Sequence, residues 1–269
     1  METLEYYTQQ TQFTEPGRHG TALYPDLPGS LEALCSLIKS QLIHPSAVSS
    51  FGETLPFGRR SEDGVYSTAS EILGGLMRRS SAGLTLERTP AERLILSCRH
   101  HAILLTSILR FRGVPARVRV GFCEYVATPE SGLWEDHWIT EVWHAAESRW
   151  MLVDADTCKV DFPRSEFALA GEIWQKSRKS RLDTKLYGSG RFRGVGYVRN
   201  NLIHDFDCLI GSEEMYTEGP RLYRLKAKEL GPRHYEIFDR LAEETTAETP
   251  DTTRLLALKQ EYHELQYDY

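Results

Sequence analysis

Three residues of the chain have the types needed for nucleophilic catalysis by a thiol: Cys98, His137 and Asp154. A thiol acts as a nucleophile when its thiolate form is favoured, and it then needs a base to move the proton. A histidine can be that base, and a carboxylate can orient the imidazole through its second ring nitrogen. The question is whether the elements around these residues can bring them together.

The segment that starts at Cys98 predicts a helix of about 14 residues. Gly113 is a natural residue just beyond a helix end, and Pro115 prevents the helix from continuing. The N-terminus of a helix carries partial positive charge, which favours a thiolate there. Apolar residues recur on one face of the predicted helix, at Ala102, Leu105, Ile108 and Leu109.

Three strands are predicted after this helix, over residues 116–125, 137–143 and 150–154. Residues 144–149 are polar and predict a hairpin turn between the second and third strands. If these two strands pair, His137 and Asp154 become cross-strand neighbours, with Cβ atoms about 5 Å apart. A helix followed by adjacent antiparallel strands predicts an α+β fold.

The same three segments resemble the transglutaminase-like core of the papain-like cysteine enzymes. That family has a cysteine at a helix start, a GVPAR-type turn into a strand, a His-Xaa-Trp-Xaa-Glu-type strand and a Trp-Xaa-Xaa-Val-Asp strand. The flanks also resemble a group of bacterial transglutaminase-like proteins, which carry segments similar to 6–9 and 198–205 of this chain. The core segments read SCRHHAILLTSILRFRGVPARVRVGF (97–122), EDHWITEVW (135–143) and RWMLVDAD (149–156).

The resemblance implies a catalytic triad of Cys98, His137 and Asp154, and acyl transfer through a thioester on the cysteine. The substrate would be a peptide, an amide or an acyl thioester, and the acceptor would be water or an amine. Papain-type sites place a glutamine shortly before the cysteine as an oxyanion donor. The nearest preceding glutamine here is Gln41, which is too far away in sequence, so the second donor is not identified.

Two other functions compete with hydrolysis or transamidation. The first is amide formation from a coenzyme A or carrier-protein thioester, since the triad spacing also resembles that of arylamine N-acetyltransferases. The basic run 175–185 is its motivation, because it could meet an acidic carrier protein or a phosphorylated arm. The second is a non-catalytic scaffold that uses the same fold to bind a partner.

Several neighbouring residues have alternative interpretations. Asp156 and Asp136 compete with Asp154 for the carboxylate role, and the motif favours Asp154. Glu141 could support His137 or be a surface charge on its strand. His100 and His101 flank the cysteine, but adjacent histidines on a helix diverge by about 100° and rarely bind one metal together. We therefore expect no metal and no cofactor.

Composition and charge exclude further classes of function. The formal charge of −6 makes general nucleic-acid binding unlikely for this chain. The segment 1–13 does not resemble a secretory signal, and no apolar run is long enough to span a membrane, so we expect a cytoplasmic protein without membrane association. Cysteine occurs five times, an odd number without a CxxC pair, which disfavours a disulfide framework. Cys35 and Cys123 are interpreted as structural.

The whole chain is predicted to form a single transglutaminase-like domain over residues 1–269. Its core spans 89–160, with a helical and loop extension over 1–88 and a loop and helical extension over 161–269. In the first extension helices are predicted over 31–43, capped by Ser30, and over 69–78. In the second, two polar helices are predicted from residue 234 onward, split near Pro250, and the glycines of 188–196 are interpreted as a mobile loop.

Overall fold

The computed structural model describes residues 3–56, 58–180 and 182–267. The α-helices are α1 (Thr3–Tyr6), α2 (Gly20–Leu23), α3 (Leu31–Gln41), α4 (Ala69–Arg79), α5 (Cys98–Phe111), α6 (Ala170–Lys179), α7 (Val195–Leu209), α8 (Arg221–Arg224), α9 (Pro232–Thr245) and α10 (Thr252–Glu261). The strands are β1 (Leu42–Ile43), β2 (Leu94–Ile95), β3 (Ala116–Cys123), β4 (Trp134–His144), β5 (Arg149–Asp154), β6 (Lys159–Val160), β7 (Phe167–Leu169), β8 (Tyr187–Ser189) and β9 (Phe192–Arg193).

Helix α5 begins at Cys98, as the sequence predicts, and has the predicted length of 14 residues. Ser97 precedes it in an extended conformation, and Gly113 follows it with a positive φ of 72°. A positive φ is strained for residues with a Cβ, so glycine suits this position. Every residue of α5 from Cys98 to Arg110 is buried, which makes this helix part of the core.

The three predicted strands are confirmed as β3, β4 and β5, with β3 shorter and β4 longer than predicted. Strands β4 and β5 pair antiparallel through the predicted turn, with Trp143 opposite Trp150 and Thr140 opposite Val153. The Thr140 hydroxyl also donates to the Ala102 carbonyl of α5 at 3.3 Å. The mixture of helices and an antiparallel sheet confirms the predicted α+β class.

Contacts along the chain divide it into two compact units, the first made of residues 1–118 and 138–162. In this unit β1 and β2 pair parallel, and β5 pairs antiparallel with β6. Helix α3 is capped by Ser30, as predicted, but it ends at Gln41 because Leu42 is extended and enters β1. Helix α4 begins at a capping box formed by Thr68 and Glu71, and it confirms the helix predicted over 69–78.

The second unit consists of residues 119–137 and 163–269. Here the end of β3 pairs antiparallel with β7, and the start of β4 pairs parallel with β8. Strands β8 and β9 form a hairpin, and α7 begins directly after it at Val195. The interpretation of 188–196 as a mobile loop is therefore wrong, because its positive-φ glycines shape a hairpin that is bonded to the sheet.

Helices α6, α7 and α9 contact one another in the second unit. Helix α7 is buried along most of its length, although no helix is predicted there in the sequence analysis. The two helices predicted after residue 234 are confirmed as α9 and α10, on either side of Pro250. The expectation of a single domain over 1–269 stays a prediction. Within the described residues, no helix combines the length and the apolar character needed to span a bilayer.

Candidate active site

Cys98 is the first residue of α5, and the segment before it is held firmly. The backbone N–H of Ser97 donates to Asp63 Oδ1 at 2.8 Å, and the Ser97 carbonyl accepts from the backbone N–H of His100 at 3.0 Å. Cys98 retains 8% of its exposure, so its side chain is almost enclosed. The thiol thus lies at the positive end of a buried helix, where a thiolate is favoured.

A permanent positive charge lies next to the thiol in sequence. Arg99 is fully buried, and both of its terminal nitrogens donate to the Ser67 carbonyl at 3.1 Å. Its guanidinium also lies over the rings of Phe13 and Trp138, at 5.6 and 6.0 Å from their centroids. These contacts anchor the first turn of α5 to Ser67, Phe13 and Trp138.

Asp154 ends β5 and is fully buried, and the turn that follows fixes its carboxylate. Oδ1 accepts from the backbone N–H groups of Asp156 and Thr157, at 2.9 and 3.2 Å. Oδ2 accepts from the Thr157 hydroxyl at 2.6 Å. These bonds set the plane of the carboxylate, so its orientation is decided by its own turn.

Asp156, the first competitor of Asp154, lies between two histidines. Its Oδ1 is 3.7 Å from His101 Nε2, and its Oδ2 is 3.9 Å from His44 Nε2. His101 Nδ1 is 3.0 Å from the Ser97 carbonyl, which fits a proton on Nδ1. Asp156 therefore lies beyond the end of β5, beside His101 in the first turn of α5.

His137 lies in β4 and is 2% exposed. Its imidazole packs against the Tyr125 ring in a T-shaped arrangement, with the two ring centroids 5.8 Å apart. The preceding residue, Asp136, accepts a hydrogen bond from Tyr197 Oη at 2.9 Å and one from Asn201 Nδ2 at 2.7 Å. Burial of this carboxylate raises the pKa of Asp136 to about 6, although the two hydrogen bonds act in the opposite direction.

The strand pairing that was expected to bring His137 towards Asp154 is present. The register has Thr140 opposite Val153, and its next step sets Ile139 opposite Asp154. The expectation that His137 is the residue directly opposite Asp154 is therefore wrong, because the strands pair two residues out of the expected register. The direct approach of Cys98, His137 and Asp154 to one another stays a prediction.

Glu141 is fully buried, so its interpretation as a strand surface charge is wrong. It accepts from Arg117 Nε at 2.7 Å, and the Arg117 guanidinium lies 4.0 Å from the centroid of the Trp150 ring. Tyr7 packs against the same arginine at 5.1 Å. Glu141 is therefore one half of a buried ion pair whose arginine packs against two aromatic rings.

His100 is buried and neutral. Its Nδ1 is 3.4 Å from Asp63 Oδ1, but burial and the adjacent Arg99 lower the pKa of His100 to about 3. In the part of the chain that the structure describes, no three His, Cys, Asp or Glu side chains are grouped so that they could hold a metal ion.

Sequence reasoning missed the residues that contact His137 and Asp136. Tyr125 follows β3 in a turn, and nothing in its local pattern connects it with a histidine twelve residues later. Tyr197 and Asn201 lie four residues apart, which places them on one face of a helix. A helix predicted over 195–209 would have placed both residues on one face. The family resemblance around 198–205 was the one signal in the sequence that drew attention to this segment.

The comparisons with known proteins identify the core. Residues 82–155 match the family model of the transglutaminase-like superfamily, and this range contains Cys98, His137 and Asp154. The match covers about a quarter of the chain, and over this segment the chain is similar to the transglutaminase-like superfamily.

No curated protein matches the chain. A crystal structure of a protein from Cytophaga hutchinsonii, described provisionally as a cysteine protease, is 12% identical with a TM-score of 0.38. The alignment covers 63% of this chain and 46% of that one, so the chain corresponds to less than half of that structure's length.

Proposed function

We propose that the protein is a cysteine-dependent acyl-transfer enzyme that acts on an amide or peptide bond. Cys98 Sγ attacks the acyl carbon while His137 takes the thiol proton. The C–N bond then breaks, His137 returns the proton to the leaving amine, and the acyl group remains on Cys98 as a thioester. Water or a second amine attacks the thioester and releases the acid or a new amide. Asp154 orients His137 throughout.

The position of Cys98 carries this proposal. It starts a buried helix within the matched core, and the positive N-terminus of that helix favours the thiolate that attack requires. Its backbone N–H, in the first turn of α5, is the proposed donor to the oxyanion that forms on the acyl group. Cys35, by contrast, lies inside α3, and burial raises its pKa to about 12.

The turn at Asp154 supports its proposed role. An orienting carboxylate must hold one geometry while the imidazole gains and loses charge. Three donors from Asp156 and Thr157 hold the Asp154 carboxylate in one plane. Asp156 instead lies near His44 and His101.

The basic run 175–185 motivated an acidic or phosphorylated acyl donor. Part of this run makes contacts within the protein instead. Residues up to 179 belong to α6, and Arg178 pairs with Asp239 at 3.1 Å and lies over the Tyr235 ring. This observation favours an amide or peptide donor over a carrier-bound thioester. Amide synthesis from a thioester donor and a binding scaffold are the alternatives that the experiments below separate.

The first experiment measures alkylation of each cysteine by iodoacetamide from about pH 5 to about pH 9, read by peptide mass spectrometry. The wild type is compared with His137→Ala. Cys158 is the matched control, because it is more exposed than Cys98 while burial raises its pKa. We expect Cys98 to react faster than Cys158 below about pH 7, and His137→Ala to remove that advantage.

Equal labelling of Cys98 and Cys158, indifferent to His137, would contradict the proposal and favour the scaffold. If Cys98 is activated, a panel of peptide amides, with and without an added amine, and of acyl thioesters follows. The mass of the acyl-enzyme identifies the donor class, and the released product separates hydrolysis from transamidation. Cys98→Ala should form no acyl-enzyme with any donor.

A further inference from the structure

The side chain of His101 binds the peptide group that joins Ser97 to Cys98. His101 Nδ1 lies 3.0 Å from the Ser97 carbonyl oxygen. Because a carbonyl oxygen can only accept, the proton of this hydrogen bond is on Nδ1. The side chain of His101 is 1% exposed, so this bond is made out of contact with bulk water.

The backbone by itself fixes the Ser97 carbonyl only in part. In a regular α-helix this oxygen would accept from the backbone N–H of His101 at about 2.9 Å. That bond is 3.4 Å long here, and the backbone N–H of His100 makes a shorter bond of 3.0 Å to the same oxygen. The imidazole of His101 therefore supplies a second short bond at the point where the regular helical bond is long.

The orientation of the Ser97 carbonyl decides the direction of the Cys98 N–H. A peptide group is planar, and in its trans form the C=O and the N–H point in opposite directions. The peptide bond between Ser97 and Cys98 is trans. A hydrogen bond that fixes the Ser97 carbonyl therefore also fixes the direction of the Cys98 N–H, which is the proposed oxyanion donor.

The far edge of the imidazole faces a carboxylate that is itself positioned. Asp156 Oδ1 lies 3.7 Å from His101 Nε2, and Asp156 Oδ2 lies 3.9 Å from His44 Nε2. The Ser46 backbone N–H donates to His44 Nδ1 at 3.2 Å, which leaves the proton of that ring on Nε2, facing Asp156. The Asp156 backbone N–H donates to Asp154 Oδ1 at 2.9 Å, so one turn positions both carboxylates.

We propose that His101 is a positioning residue for the oxyanion donor at Cys98. Its Nδ1–H holds the peptide group between Ser97 and Cys98 in the orientation that directs the Cys98 N–H at the oxyanion. Asp156 keeps the ring in place from its other edge. This inference rests on the function proposed above, and it assigns a role to one of the two histidines that follow Cys98 in the sequence.

Two substitutions at His101 separate the two edges of its ring. In His101→Asn the amide nitrogen is as many bonds from Cα as the Nδ1 of histidine, so this variant keeps a donor for the Ser97 carbonyl. In His101→Gln the amide nitrogen corresponds to the Nε2 of histidine, so a polar group still faces Asp156 but the donor to Ser97 is lost. Both variants are neutral and both lose the ring, so each is the matched control of the other.

The assay compares two reactions of Cys98, each followed by peptide mass spectrometry. Acylation by p-nitrophenyl acetate passes through an oxyanion: the Sγ thiolate bonds to the acyl carbon, the carbonyl oxygen takes the negative charge, and p-nitrophenolate then leaves. Iodoacetamide instead loses iodide from its CH₂ carbon to Sγ, and no oxyanion forms. Loss of an oxyanion donor costs about 10²–10³-fold in rate, so we expect a misdirected donor in His101→Gln to slow acylation by about tenfold or more. Alkylation should stay close to the wild-type rate, and His101→Asn should recover most of the acylation rate.

Equal slowing of acylation in both variants would overturn the inference, because the loss would not follow the Nδ1 donor. Slowing of alkylation together with acylation would also overturn it, because the effect would then lie on the thiolate. Nitrogen NMR of wild-type protein with isotope-labelled histidine is a second measurement, which requires neither variant to fold. It should show a proton on His101 Nδ1, and a ring protonated on Nε2 alone would contradict the inference. Failure of the proposed function would appear separately, as wild-type Cys98 that is acylated and alkylated no faster than Cys158.

Discussion

Removing Asp205 should strongly destabilise the protein, because it would break a fully buried ion pair with Arg119. Asp205 is fully buried, and the Arg119 side chain retains 2% of its exposure. The carboxylate accepts two bonds from Arg119 and one from Val120. In Asp205→Ala, Arg119 would keep its bond to the Thr245 carbonyl, but not a charged partner on α7.

The magnitude follows from the cost of breaking a buried ion pair. Breaking a buried ion pair by removing one partner costs about 3–5 kcal/mol. For a protein of this size each kcal/mol shifts the melting temperature by roughly 2–4 °C, so we expect a decrease of about 6–20 °C. Replacing both partners by apolar residues, as in Arg119→Met with Asp205→Leu, should recover most of the loss, since no unpaired charge is then buried.

The assay is urea unfolding followed by tryptophan fluorescence and by far-ultraviolet circular dichroism. Agreement of the two probes would test whether unfolding is a single transition, which the free-energy comparison requires. Wild type, the two single variants and the double variant form a cycle that isolates the coupling between Arg119 and Asp205.

Two results would refute this reasoning. One is an Asp205→Ala variant within about 1 kcal/mol of the wild type, which would mean that the buried charge finds water or another partner. The other is a double variant no more stable than Asp205→Ala, which would place the loss in packing around α7 and not in the charge.

Two further predictions concern stability. The pKa of His100 is about 3 in the folded protein and about 6.5 in an unfolded chain, so the unfolded state binds more protons between these values. The free energy of unfolding contributed by His100 therefore rises with pH over that window. In His100→Gln the urea midpoint should rise less steeply between about pH 4 and about pH 7. An unchanged slope would contradict the neutral state of His100. Gly121→Ala should cost about 1–3 kcal/mol, because the added Cβ would overlap the Ala168 carbonyl oxygen, whereas Gly29→Ala, which meets no atom within 4 Å, should melt like the wild type.

The elements around Cys98 could be predicted because their signals are local. The apolar spacing after Cys98, the glycine at 113 and the proline at 115 define α5 without help from distant residues. Alternation and β-branched residues define β3 to β5 in the same way. Their order also carries the family resemblance, which the match over 82–155 confirms.

Short-range patterns were insufficient where long-range contacts decide the conformation. Leu42 continues the helical pattern of α3, but pairing with β2 draws it into a strand. The glycines of 188–196 are typical of a loop, yet pairing of Trp134 with Tyr187 orders them into a hairpin. In both places a sheet partner distant in sequence overrides the local preference.

The sequence by itself determined the candidate nucleophile, the helix that presents it and the class of chemistry, because these depend on residue type and on spacing within one or two elements. Only the tertiary structure decided what surrounds them. Glu141 became the partner of a buried arginine, and Asp136 became a clamped carboxylate, through contacts that join residues 24 to 65 positions apart. Nothing in a local pattern specifies such contacts, because they form only when packing of the helices on the sheet removes these charges from water and makes each of them require a partner.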